Sequence, residues 1–90
     1  MEKRIHVKIY GKVHGVFFRA NIYELAKKYG IRGFVRNIPN AVEAVFEGED
    51  KAIEEILKFC KIGPPGAVVE KIEVREEKPK NEFSNFEILY

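Results

Sequence analysis

The sequence predicts an α+β sandwich: a five-stranded, mostly antiparallel sheet with two helices on one face, in the order β-α-β-β-α-β-β. Three observations predict it. Five segments carry apolar residues at or near the two-residue period of a strand. Two further segments repeat apolar residues at i, i+3, i+4 and i+7, the stripe of a surface helix. The chain has 90 residues, room for a single domain spanning 1–90. A chain of this size buries only about 60–65% of its unfolded surface, so one modest core must serve every element.

The first strand is expected over 4–11, where Ile5, Val7 and Ile9 alternate with His6 and Lys8. Gly11-Lys12-Val13-His14-Gly15 then punctuates the chain. The first helix is expected over about 19–29, with Ile22, Leu25, Ala26 and Tyr29 on one stripe. Lys27 and Lys28 suit its negative C-terminal end, and Gly30 stops it. Residues 31–37 and 42–47 read as a hairpin around Ile38-Pro39-Asn40-Ala41, closed by Gly48. The second helix, about 49–61, carries Ile53, Ile56, Leu57 and Cys60 on its stripe and Glu49 and Asp50 at its positive end. Gly63-Pro64-Pro65-Gly66 breaks it. The fourth strand is expected to hold Val68, Ile72 and Val74 on one face. A turn around Pro79-Lys80-Asn81 leads to a last strand with Phe86, Ile88 and Tyr90 alternating.

Two amphipathic helices need one sheet face to cover their stripes. The first helix must join two strands that are parallel neighbours or that bracket another, by a right-handed crossover. A ferredoxin-like α/β sandwich with an added final strand is the simplest solution. That architecture hosts many activities, so function has to be read from a site.

Composition narrows the choice. Sixteen Lys and Arg oppose fourteen Asp and Glu, a net charge of +2 that does not mark a dedicated nucleic-acid binder. One cysteine allows no internal disulfide, and two histidines with it make a structural zinc site improbable. The start of the chain has no apolar run of signal-peptide type, and nothing approaches the ~20 apolar residues of a membrane span. A cytoplasmic location is expected by default. Asp50 is the only aspartate and glutamine is absent, a Glu- and Lys-rich bias of the kind found in hyperthermophile proteins, although five asparagines remain.

The strongest candidate site is Gly11-Lys12-Val13-His14-Gly15-Val16-Phe17-Phe18-Arg19, where a loop enters a helix. Unpaired amides and the positive end of the dipole meet there. Glycines allow close approach of an anion, and Arg19 can fork onto two of its oxygens. On residue chemistry alone the stretch reads equally as an anion cradle or as a glycine-turned connection with a solvated arginine. Phe17 and Phe18 read as core packing. There is no P-loop signature, Val13 stands where a thiol phosphatase would carry cysteine, and no carboxylate cluster is present for Mg²⁺. Cys60 reads as an inert core residue and His6 as a strand surface residue. His14 can favour an anion or support the loop by hydrogen bonding. In the second constellation, Gly33-Phe34-Val35-Arg36-Asn37, the amide of Asn37 offers a donor and an acceptor that could orient a water. Beside Pro39 and Asn40 it also reads as a turn former, which composition alone favours. The competing class is a non-catalytic binding module, but the exposed-aromatic strand signature of RNA readers is absent.

Gly11-x-Val13-x-Gly15-Val16-Phe17-Phe18-Arg19 and Gly33-Phe34-Val35-Arg36-Asn37 resemble the two signature segments of the acylphosphatase family, in order and in the 18-residue step from Arg19 to Asn37. Gly63-Pro64-Pro65-Gly66-Ala67-x-Val69 and Phe86-Glu87-Ile88 are also similar to that family, so the resemblance spans essentially the whole chain. It implies hydrolysis of the carboxyl–phosphate bond of acyl phosphates. It implies that the backbone amides of His14, Gly15, Val16, Phe17, Phe18 and Arg19 bind the phosphoryl oxygens and that the Arg19 guanidinium reinforces them. Asn37 would place the attacking water, with no metal, cofactor or phosphoenzyme. The partners implied are an acyl phosphate and the product, inorganic phosphate, with no nucleic acid or membrane. No long apolar surface run demands a dimer, so a monomer is expected. The chain departs from the family in two places: His14 stands where glutamine is common, and Ala41 directly precedes Val42, so the hairpin is about one residue shorter.

Overall fold

The computed structural model describes all 90 residues. Its elements are β1 (Glu2–Lys12), α1 (Phe18–Lys28), β2 (Arg32–Ile38), β3 (Ala41–Glu49), α2 (Asp50–Ile62), β4 (Val68–Glu77) and β5 (Phe86–Leu89). The strands lie in the order β4-β1-β3-β2-β5. Neighbours are antiparallel except β2 and β5, which run parallel. β1 and β2 therefore bracket β3, the second of the two arrangements that the crossover allowed. This is the ferredoxin-like α+β sheet with an added strand at one edge.

Register explains the core. Ile5, Val7 and Ile9 stand opposite Phe46, Ala44 and Val42. Together with Val35 they form the buried face that meets Phe18, Ile22 and Ala26 of α1 and Ile53, Ile56 and Cys60 of α2. Leu25, Tyr29 and Leu57, placed on the helix stripes by spacing, pack only at the margin of this cluster. Phe86 of β5 stacks on Phe46 with ring centroids 5.7 Å apart.

Two expectations change. β1 runs from Glu2 to Lys12, past the expected 4–11 at both ends, so Lys12 as well as Gly11 belongs to the sheet. A Cβ on Gly11 would lie 2.1 Å from the Val68 carbonyl oxygen, so only glycine lets β4 approach there. The register of β1 and β4 slips at this point, with Tyr10 opposite Lys71 but Gly11 opposite Val69. The slip reverses the alternation of β4. Val69, not Val68, joins Ile72 against the core, while Val68 and Val74 stay exposed.

The sheet face away from the helices carries charge. Glu43 accepts from Arg36 at 2.6 Å and pairs with His6 at 2.7 Å. Arg4, only 5% exposed, meets Glu47, Glu77 and Glu82. The segment between β4 and β5 crosses this face. The amide of Asn81 donates to Glu47 at 2.8 Å, and the Phe83 ring lies over the Arg4 guanidinium and against Phe34. This crossing carries the chain from one sheet edge to the other and delivers β5 beside β2.

Candidate active site

Between β1 and α1 the chain makes a tight excursion from Val13 to Phe17. Gly15 and Phe17 both adopt positive φ, 71° and 62°. The glycine does so without strain. Phe17 does not: a left-handed non-glycine residue costs about 1–2 kcal/mol. Its carbonyl starts the helix by accepting from the Asn21 amide at 3.1 Å and from the Asn21 side chain at 2.9 Å.

This excursion leaves a run of free donors. The backbone amides from His14 to Ala20 have no acceptor within the chain. Those of Phe18, Arg19 and Ala20 are the orphans of a helix N-terminus, where the dipole is positive. Several N–H groups around one bend form a concavity suited to an anion.

Arg19 follows in the first turn of α1. It differs from the other four arginines: Arg4, Arg32, Arg36 and Arg75 each meet a glutamate, and Arg19 meets none. Its guanidinium lies 5.1 Å from the centre of the Tyr90 ring. The ring meets the guanidinium through its π face and takes none of the N–H fork's hydrogen-bonding capacity for oxygens.

Asn37 is on β2, opposite Val42. Alternation puts its side chain on the helix-facing side of the sheet, just beyond the apolar core, next to the loop. Arg19, Asn37, Gly15 and Phe17 open on one cleft of about 320 Å³. The structure thus brings together two segments 18 residues apart in sequence.

His14 turns away from this cleft. Its Nε2–H donates to the Ala41 carbonyl at 2.6 Å and ties the loop to the β2–β3 hairpin. That hairpin is tight: Ile38 pairs with Ala41 around Pro39 and Asn40, and Asn40 takes a φ of 65°. The shortened turn therefore keeps regular pairing up to its last residues, and Ala41 becomes the anchor for His14. Phe17 and Phe18, both read as core, part company. Phe18 is buried and meets Phe59 edge-on at 5.7 Å, whereas Phe17 is 79% exposed. Cys60 is buried in the core, where burial pushes its thiol pKa up and keeps it protonated. No group of three or more His, Cys, Asp or Glu side chains is placed to hold a metal ion.

Ile88 and Tyr90 also line the cleft, and residue chemistry did not assign them to it. Their signal in the sequence is alternation, which names a face of a strand but not its neighbour. The parallel pairing of β5 with β2, with Ile88 opposite Val35, carries them to Arg19.

The acylphosphatase family model matches residues 5–88. An acylphosphatase from Syntrophus aciditrophicus is 47% identical over 91 residues, covering 100% of this chain and 95% of its own. One from Pyrobaculum islandicum is 50% identical over 88 residues, covering 96% and 93%. The crystal structure of acylphosphatase from Bacillus subtilis superposes with a TM-score of 0.92 at 30% identity and full coverage of both chains. Family model, near-complete coverage by relatives at about half identity, and superposition of every element agree: this chain belongs to the acylphosphatase family, a family of enzymes.

Proposed function

We propose that this cleft hydrolyses acyl phosphates by direct in-line attack of water on phosphorus. One observation carries the reading: the chain's only arginine without a carboxylate partner opens on the same cleft as Asn37, beside a run of unpaired amides. The amides of His14, Gly15, Val16, Phe17, Phe18 and Arg19 bind the phosphoryl oxygens. Arg19 adds two charge-assisted hydrogen bonds. Asn37 holds the attacking water through its amide group, which can donate and accept without titrating. The water oxygen bonds to phosphorus as the bond to the acyl oxygen breaks. The electron pair leaves on the carboxylate, and the water's proton passes to a phosphate oxygen.

The inventory suits this substrate. A carboxylate leaving group has a conjugate-acid pKa of about 4 and departs without a proton donor. Phosphoryl transfer then needs positioning and charge stabilisation, which amides, one guanidinium and one carboxamide supply. On this reading the enzyme works without metal, cofactor or phosphoenzyme, as a single-domain monomer in the cytoplasm. No helix is long and apolar enough to cross a membrane.

The test is release of inorganic phosphate from benzoyl phosphate in the presence of EDTA, with inorganic phosphate as a competitive inhibitor. Arg19→Ala and Asn37→Ala should each reduce turnover at least about 10²-fold with the fold intact by circular dichroism. Near-wild-type turnover in both folded variants would falsify these roles, and activity that vanishes with EDTA would require a metal.

A further inference from the structure

We propose that Phe17, Ile88 and Tyr90 form an acyl-group subsite, and that the enzyme selects acyl phosphates whose acyl part is flat, apolar and uncharged. The inference rests on the reading of the cleft as an acyl phosphate site and adds what the far end of the substrate must be. Four observations carry it. First, Phe17 is held in a left-handed conformation with its ring 79% exposed. Its amide serves the loop with any side chain attached, so neither packing nor loop geometry accounts for an exposed ring there. Strained residues with unburied apolar groups gather at ligand sites. Second, the Tyr90 ring lies over Arg19 at 5.1 Å and is itself open to solvent. The ring sits near the guanidinium without being buried by it, and Tyr90 lines the cleft.

Third, the cleft of about 320 Å³ is larger than the reacting group needs. A phosphoryl group with its water fills about 120–150 Å³, taken as four to five water-sized units of about 30 Å³. The lining beyond Arg19, Asn37 and Gly15 is apolar or aromatic, and Phe17, Ile88 and Tyr90 are part of it. Fourth, Arg19 is the only charged residue lining the cleft. Nothing else there would pair with a second phosphate or a carboxylate on the acyl part, or desolvate one without cost. An aromatic acyl group would instead stack against the two rings in offset or edge-on geometry.

The decisive measurement compares two substrates and two non-hydrolysable probes. The ratio of kcat/KM for benzoyl phosphate over acetyl phosphate is measured for the wild type, Phe17→Ala, Tyr90→Ala and Tyr90→Phe. Comparing one ratio across variants cancels the intrinsic reactivity of each substrate. The ratio should fall about three- to tenfold in both alanine variants and hold in Tyr90→Phe, which keeps the ring. Equal loss on both substrates, leaving the ratio unchanged, overturns the subsite. Calorimetric titration with benzylphosphonate and methylphosphonate tests it apart from turnover. Benzylphosphonate should bind the wild type more tightly, by a margin that shrinks in the alanine variants. Equal binding of the two probes by the wild type also overturns the subsite. A wild type that prefers benzylphosphonate but hydrolyses neither acyl phosphate keeps the subsite and refutes the hydrolytic reading.

Discussion

Arg19 is free because nothing acidic reaches it, while every other arginine is neutralised on the opposite face or at an edge of the sheet. The sequence singles it out by its place at the end of the glycine-bounded loop, but not by its lack of a carboxylate partner. Asn37 was ambiguous between a turn former and a water holder. Its pairing with Val42 removes it from the turn, which Pro39 and Asn40 make by themselves. His14 acts through the hairpin. Its Nε2–H reaches Ala41, so it holds the loop between β1 and α1 against the hairpin that carries Asn37. His14→Ala should lower kcat about three- to tenfold, the worth of one hydrogen bond, while the inhibition constant of inorganic phosphate changes little. His14→Gln, whose amide can donate to the same carbonyl, should restore most of the loss; an alanine variant with unaltered kcat would refute the role. Cys60 needs no function beyond filling space. Cys60→Ala should cost about 1–2 kcal/mol of stability by leaving a small cavity and should spare turnover at temperatures where the variant stays folded.

Among the elements, the two helices were legible because a stripe at i, i+3, i+4 and i+7 is a local signal. The β2–β3 hairpin was legible because proline and asparagine specify a turn. β4 was misread because a slip in register is a property of two strands. Alternation alone placed Val68 inward, and the approach of β4 to Gly11 put Val69 there. Gly33 presents a sharper constraint in β2. Its φ is 141°, a Cβ would lie 1.9 Å from the Val45 carbonyl oxygen, and its amide donates to Asn85 at 3.0 Å. A side chain there would separate β2 from β3 and release β5, the strand that carries Ile88. Gly33→Ala should therefore cost at least about 3 kcal/mol, read as a lowered denaturant midpoint. A stability within about 1 kcal/mol of wild type would show that the strands part without penalty.

For the whole molecule, the charged sheet face ties together segments from both ends of the chain. Burial pushes the Glu47 carboxyl up, but the Asn81 amide, the Arg4 guanidinium and the Lys80 amide outweigh it and hold the carboxyl below its ordinary value. Glu43 is likewise pushed up by burial and held lower overall by His6 and Arg36. Glu77 is held down chiefly by Arg4. A carboxyl depressed in the folded state favours folding above its unfolded pKa of about 4.3 and loses that contribution as pH falls through the folded value. Thermal stability should therefore drop as pH is lowered from about 5 toward 3. Glu47→Gln should flatten that dependence and lower stability at pH 7, where the wild-type carboxylate is fully charged. An unchanged slope in calorimetry would mean that the cluster does not govern acid unfolding. At neutral pH, Glu47→Ala would leave the buried Arg4 with two partners in place of three, at a cost of about 2–4 kcal/mol.

The sequence by itself determined the helices and their buried stripes, the turn of the hairpin, the loop that enters α1, and the two segments that carry Arg19 and Asn37. All are local patterns or motifs, set by residues a few positions apart. Only the tertiary structure decided that β3 lies between β1 and β2, that β4 slips at Gly11, and that the last segment crosses the sheet to run parallel to β2. Only it could show Phe17 in solvent and Tyr90 over Arg19. The physical reason is that alternation tells a strand which face is buried and is silent about its neighbour. Pairing between distant strands is chosen by the packing of the whole sheet, and the Ile88 and Tyr90 wall of the cleft comes from that choice.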